Sequence, residues 1–243
     1  KIELSDDKKE LPKNPVLNKE SIIIPKNKII YTVILDKKEE LHKPKHIAQD
    51  WKYICLTNNY NLKPVSPWKI SYIVPLDIVP LDNEKTKIKC KMMPDQFLPD
   101  HDLSIWIDNS TIISGDLNEF VKKYPFDFIS VLHPDRNCSY QEGKVCFEFQ
   151  KDKDLTILDQ CRTYITKGFP KGLGLFETKM LMRHNTKRNR DICADWWNEV
   201  ASHSHLDQLS FTYVLWKNSY KIKGIKNDEY ASFFTHKKKD NSI

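Results

Sequence analysis

Asp108 closes an apolar run, Ile105-Trp106-Ile107, and two small polar residues, Asn109 and Ser110, follow before the chain turns apolar again. An acid in that place has two uses. It can hold Mg²⁺ or Mn²⁺ at the end of a buried strand, because hard cations take oxygen ligands and keep positions open for substrate phosphates. It can equally close an Asx-turn. Residue types alone leave both open. Asp207, in His-Leu-Asp-Gln-Leu-Ser-Phe, is a second acid with two readings. At the mouth of a helix it can take a proton from an acceptor hydroxyl or stabilise an oxocarbenium-like centre, or simply serve as an N-cap. Lys87, Lys89 and Lys91 alternate along Lys-Thr-Lys-Ile-Lys-Cys-Lys. In an extended segment they share one face and could meet a diphosphate, whereas in a helix they scatter. His203 and His205 form half a metal site with no third ligand spaced nearby, which favours packing or solvent-facing roles. His236 bears on a site only if the C-terminal segment folds back over it.

These residues need a frame. Continuous apolar runs rich in β-branched residues predict strands at 28–36, 51–59, 104–113, 126–133 and 174–183. Between them Leu117, Phe120, Val121 and Tyr124 share one helical face, with Asp116 and Glu119 suited to its N-terminus. Ile192, Trp196 and Val200 make a second stripe, and Leu206, Leu209, Tyr213 and Trp216 a third. Trp196 reads as core; Trp197 could offer a stacking face. Alternating strands and helices predict an α/β layered fold with a mostly parallel sheet. Ligands then bind beyond the carboxyl ends of the strands, where Asp36, Asn58 and Asp108 stand. Residues 134–162 read as an insertion or long loop. Gly168, Gly172 and Gly174 make a tight loop before a strand, with the wrong spacing for a dinucleotide fingerprint. Residues 1–26, polar and Lys/Pro-rich, read as an arm or linker, and 27–243 as one domain.

At 243 residues, 40% hydrophobic and 30% charged, the chain can bury a core. Its net charge of +6 is spread without a long Lys/Arg block, which argues against a nucleic-acid groove and leaves room for a small anionic ligand. The six cysteines form no Cys-x-x-Cys pair, so a zinc ribbon is excluded and reduced, mostly buried thiols are expected. Cys138 and Cys146 could pair in an oxidising compartment. No apolar run has the length of a membrane span. The expected location is the cytoplasm, or the secretory lumen if an N-terminal anchor has been removed.

The order of segments "IIYTVILDKKEELHKP", "DWKYICLTNN", "KIKCKMMPDQFLPDHDLSIWIDNSTIISGDLNEFV", "GLFETKMLMRHN", "DWWNEV" and "LDQLSFTYVLWK" resembles a family of glycosyltransferase-like proteins. That family was long catalogued as a domain of unknown function, and occurs in bacterial surface-polysaccharide loci and in plant proteins linked to pectin and mucilage synthesis. The resemblance runs from about residue 28 to 217, with "SIWID" and "DQLSFTYVLWK" its most specific parts. More distantly the layout is similar to the GT-A, Rossmann-like fold of nucleotide-sugar glycosyltransferases, glycogenin-like enzymes included. The resemblance implies a Mn²⁺- or Mg²⁺-assisted hexosyltransferase of polysaccharide biosynthesis, moving a sugar from a UDP-sugar to a glycan hydroxyl, with retention or inversion of configuration left open. It implies Asp108 at the metal motif, completed by His236. It places Tyr31, Thr32 and Asn58 in the nucleoside pocket and Lys87 and Lys91 on the donor phosphates. Glu177 and Asp207 would lie near the acceptor and the anomeric carbon. The second acid of the Asp-x-Asp motif is replaced by Ser110, which leaves the metal one carboxylate short. Two other functions stay open: a nucleotide- or carbohydrate-binding protein without catalysis on the same fold, and a metal-dependent hydrolase using Asp108, His203 and His205.

Overall fold

The computed structural model describes residues 25–35, 37–73, 82–152 and 154–237. Asp36 and most of the expected N-terminal arm lie outside the described residues. In chain order the elements are β1 (Lys28–Ile34), β2 (Trp51–Thr57), β3 (Lys69–Tyr72), α1 (Asn83–Met92), α2 (Pro94–Phe97), β4 (Leu103–Ile107), β5 (Thr111–Ile113), α3 (Leu117–Lys123), β6 (Phe128–Leu132), α4 (Ser139–Glu148), α5 (Asp154–Thr166), β7 (Phe176–His184), α6 (Lys187–Ser202), α7 (Asp207–Lys217), β8 (Lys223–Ile225), α8 (Asn227–Ala231) and β9 (Phe234–His236).

Seven strands form a central sheet in the order β3-β2-β1-β4-β7-β6-β8. It is mostly parallel, as the sequence predicts. Only β7 runs against its neighbours β4 and β6. That reversal matters for the site. The start of β7, at Phe176–Thr178, lies on the edge where the parallel strands end, beside Asp108.

Side chains along β1 alternate between two cores with the period of a strand. Ile29, Tyr31 and Val33 enter a core that holds Met92 of α1, Trp196 of α6 and Phe211 of α7. Ile30 and Ile34 enter the core on the opposite face, with Leu117 and Phe120 of α3 and Phe234 of β9. Trp196 is fully buried, as expected; Trp197 is partly buried, beneath Lys89.

Several expectations are corrected. The predicted strand 104–113 is two strands, because the chain turns at Asp108: Asp108 N–H donates to Lys179 O at 3.0 Å, and Thr111 N–H to Asp108 O at 2.9 Å. Residues 134–162 are not a long loop but carry α4 and the start of α5. The buried stripe of α4 is Ser139, Glu142, Gly143 and Cys146, at helical spacing but not apolar, so a hydrophobic reading passes over it. Lys87, Lys89 and Lys91 lie on helix α1 rather than on an extended segment. Asp116 does cap α3, accepting from Asn118 N–H at 2.7 Å, whereas Glu119 pairs loosely with Lys122 at 3.9 Å. All six cysteines are free thiols, Cys138 and Cys146 included. Gly168, Gly172 and Gly174 all take positive φ, 76°, 72° and 97°, which explains glycine at those turns.

The C-terminal segment does fold back. β9 pairs antiparallel with β5, setting His236 opposite Thr111, and Lys237 N–H donates to Ser110 O at 3.0 Å. The ribbon thus clamps the turn that follows Asp108. Gly115 permits the approach: Ser114 and Gly115 N–H groups both donate to Phe233 O, and a Cβ at 115 would stand 2.9 Å from Phe233 Cα. Backbone cannot yield there as a side chain would. Gly115→Ala is therefore expected to cost about 2 kcal/mol, read as a lower midpoint in urea unfolding. An unchanged midpoint would show that the ribbon is not held against the fold.

Candidate active site at the carboxyl edge of the sheet

Asp108 leaves β4 at the carboxyl edge of the sheet, with its backbone held by β7 and the β5 turn. Burial pushes its carboxyl above the ordinary aspartate value, and Asp207 pushes the same way. Lys91, Lys87 and Lys179 oppose that shift, so three ammonium groups face one carboxylate.

Each lysine comes from a different local cause. Lys87 and Lys91 sit one helical turn apart on α1, so they share a face while Lys89 turns away over Trp197. The scattering expected of a helix thus spares the pair that matters. Lys87 Nζ donates to Glu39 Oε1 at 3.0 Å and to Asn109 Oδ1 at 3.2 Å. Lys91 is buried: its Nζ lies 2.5 Å from Asp207 Oδ2 and donates to Thr178 Oγ1 at 2.7 Å. Thr178 in turn donates to Asp207 Oδ1 at 2.9 Å, which closes a triangle of ammonium, hydroxyl and carboxylate. Lys179, the next residue of β7, pairs with Glu177 and donates to Asn227 Oδ1 at 2.7 Å.

Asp207 is not the cap of α7. Leu206 takes that position, and Ser204 Oγ accepts its N–H at 3.1 Å. The Asp207 side chain is thereby released to face Thr178 and Lys91. Its backbone carbonyl accepts from Trp196 Nε1 at 3.1 Å, which anchors the helix start to the core.

His236 stands on β9 across from Thr111. Its Nε2 lies 3.5 Å from Tyr230 Oη, which also pairs with Thr111 Oγ1 at 3.2 Å. Burial and the nearby Lys179 hold its imidazole below the ordinary histidine value, with Glu177 opposing. Lys179 lies over the Tyr230 ring, 4.8 Å from its centroid. On the other side of Glu177, His133 at the end of β6 feels the charges of Arg136, Glu142 and Glu177.

The structure therefore gathers Asp108, Asp207, Lys87 and Lys91 at this edge, with Glu177 on Lys179 beside them, while His236 stands against Tyr230 on β9. Asn58 is exposed just beyond β2, where its Nδ2 donates to Asn83 Oδ1 at 3.3 Å. Tyr31 and Thr32 differ from expectation. They lie inside β1, not at its end, and at 0% and 2% exposure they present no surface to a nucleoside. His203 and His205 do not converge. His203 Nδ1 meets Glu199 O at 3.1 Å and His205 Nδ1 meets Asp152 Oδ2 at 3.0 Å. Among the described residues no three of His, Cys, Asp and Glu form a group that could hold a metal ion by themselves. The hydrolase arrangement thus does not assemble.

Sequence reasoning missed Thr178, Lys179, Tyr230 and His133. Thr178 and Lys179 arrive through the reversal of β7, Tyr230 on α8 just before the returning β9, and His133 at the end of β6, and none of these leaves a local signal.

The profile of the TOD1/MUCI70, glycosyltransferase-like domain matches residues 15–239. The chain belongs to the TOD1/MUCI70 glycosyltransferase-like family. Comparison with curated proteins finds no match. The seven-stranded, mostly parallel sheet flanked by helices is consistent with the Rossmann-like glycosyltransferase fold that this family predicts. Membership supports a glycosyltransferase-like activity and sugar substrates. No helix among the described residues is long and apolar enough to cross a membrane.

Proposed function

We propose that the protein transfers a sugar from a nucleoside diphosphate donor, a UDP-sugar, to a glycan hydroxyl, assisted by Mg²⁺ or Mn²⁺. The observation that carries this reading is the Lys91–Thr178–Asp207 triangle at the sheet edge, with Lys87 on Asn109, the residue after Asp108, and Lys179 on Glu177.

Charge supports the cation. Asp108, Asp207 and Glu177 stand at the same edge as the lysines, and a diphosphate brought there with a divalent ion would meet their carboxylates with less repulsion. Asp108 suits it, since Mg²⁺-type ions are held by one or two carboxylates with phosphates and water completing the shell. His236, which returns on β9, would be the second donor. When bound, the ion neutralises the leaving diphosphate.

The chain's own groups do the rest. Lys87 and Lys91 meet the phosphates, and Lys91 moves part of its hydrogen bonding from Asp207 to a phosphate oxygen. Asp207 then accepts the proton of the acceptor hydroxyl as the acceptor oxygen bonds to the anomeric carbon and the bond from that carbon to the diphosphate breaks, with its electron pair leaving on the diphosphate. Glu177, at the start of β7, orients the acceptor. Asn58 reaches the nucleoside end. The fixed edge of the sheet holds these groups in register, which favours reaction over free encounter.

Thermal denaturation with UDP, GDP, CDP and UMP, each with and without Mn²⁺, tests the reading. A ligand at a hundred times its dissociation constant adds about 2.7 kcal/mol, or roughly 5–10 °C in Tm for a chain of this size. UDP is expected to give that shift only with Mn²⁺. A shift that is equal without metal would assign the phosphates to the lysines alone. No shift with any diphosphate would remove the donor site.

Ser110, in place of a second acid, favours one alternative, a binding protein without transfer. That protein would bind UDP with Mn²⁺ yet release no UDP from any UDP-sugar and acceptor.

A further inference from the structure

Arg183 is buried at 2% exposure in the middle of the molecule, and the partners of its guanidinium are neutral. Its two terminal nitrogens donate to Met92 O at 3.2 Å, to Lys91 O at 2.6 Å, to Tyr31 Oη at 2.6 Å and to Cys193 Sγ at 3.4 Å. Tyr31 Oη in turn donates to the same Lys91 carbonyl at 2.9 Å and, weakly, to Cys90 O at 3.4 Å. Burial pushes the Tyr31 phenol well above its ordinary value, so it remains a donor. Lys91 and Met92 are the last two residues of α1. Their carbonyls have no partner further along the helix, and they carry the negative end of its dipole. A buried cation there replaces the water that would otherwise solvate them.

The consequence reaches the site. The residue whose carbonyl is held twice from inside is the one whose ammonium meets Asp207 and Thr178 outside. Arg183 and Thr178 lie on the same strand, β7, so one strand grips both ends of Lys91. We propose that Arg183, with Tyr31, is a positioning residue: by closing the last turn of α1 it fixes where the Lys91 ammonium stands for the donor diphosphate. This rests on the assignment of Lys91 to the donor phosphates above. It also gives Tyr31 a role other than lining a nucleoside pocket.

The test is calorimetric binding of UDP with Mn²⁺ to the whole chain and to Lys91→Ala, Tyr31→Phe, Arg183→Lys and Arg183→Met, and to the last three combined with Lys91→Ala. Tyr31→Phe is expected to weaken binding about threefold and Arg183→Met about tenfold, with Arg183→Lys between wild type and Arg183→Met. In the Lys91→Ala background none of the three should weaken binding further, because residues acting through one group are not additive. Full additivity in that background would overturn the proposal, since the clamp would then be acting on the fold at large. If Arg183→Met does not fold, Tyr31→Phe carries the same test, since it removes a single oxygen. Equal binding by wild type and Lys91→Ala would overturn the phosphate role of Lys91 and this inference together. The two failures are therefore told apart by Lys91→Ala alone.

Discussion

Asp108→Asn is expected to lower sugar transfer by about 10²–10³-fold while raising the melting temperature of the ligand-free protein. The loss follows from the place of Asp108. It is the carboxylate that leaves β4 at the sheet edge, and a group that stabilises developing charge there contributes about that much to rate. The gain follows from the same burial. The folded protein holds a proton on Asp108 above the ordinary aspartate value, so Asp108 contributes its full stability below the unfolded-state value and loses it as pH rises through the folded-state value. Above that window the ionised side chain is a cost that asparagine does not carry. The expected rise is on the order of 1–3 °C. Metal-dependent nucleotide binding has the opposite pH dependence, because only the ionised carboxyl is a ligand. It should fall as pH drops through the same raised value. Melting curves of both proteins across pH, with and without UDP and Mn²⁺, check each part. A variant that is destabilised at every pH would mean that Asp108 is a turn cap and not a strained ligand.

Asp207→Ala should have the larger effect on the fold. Lys91 and Asp207 are 8% and 13% exposed in their side chains, so removing the acid leaves an ammonium in a poorly solvated place, hydrogen-bonded to the Thr178 hydroxyl. Breaking a buried pair from one side costs about 3 kcal/mol, or roughly 6–12 °C for a chain of this length. Transfer should fall about 10²–10⁴-fold, as for loss of a general base. Two controls separate the effects. Asp207→Asn keeps the shape and a hydrogen-bond acceptor for Lys91, and should regain most of the stability while staying inactive. Lys91→Met combined with Asp207→Leu removes both charges, and should approach wild-type Tm with no transfer. Transfer by Asp207→Asn within tenfold of wild type would rule out Asp207 as the base.

The two variants divide the site by mechanism. On the proposed mechanism Asp108 would serve the bound state and Asp207 both states, since Asp207 also pairs with Lys91 at the start of α7. The β5–β9 ribbon holds the turn that follows Asp108.

The strands β1, β2 and β4 were legible in the chain because a strand buried on both faces has to be apolar throughout. Asp108 at the end of β4 was legible for the same reason: an acid breaks such an apolar run, so it marks where the strand ends. The buried face of α6 followed from its apolar spacing, whereas α7 is buried from Leu209 to Leu215 and its predicted stripe caught only Leu209 and Tyr213 of these. Helix α4 was not legible, since it packs with serine, glutamate, glycine and cysteine, and Glu142 is neutralised there by Arg136, a partner that no spacing rule reveals. The sequence by itself thus determined the layers and which acid ends its strand. Tertiary structure decided which charges meet that acid. The antiparallel β7 delivers Thr178 and Lys179, the return of β9 delivers His236, and Arg183 fixes the end of α1 that carries Lys91. Each of these depends on pairing between residues far apart in the chain, and such pairing is set by global packing and not by local residue pattern.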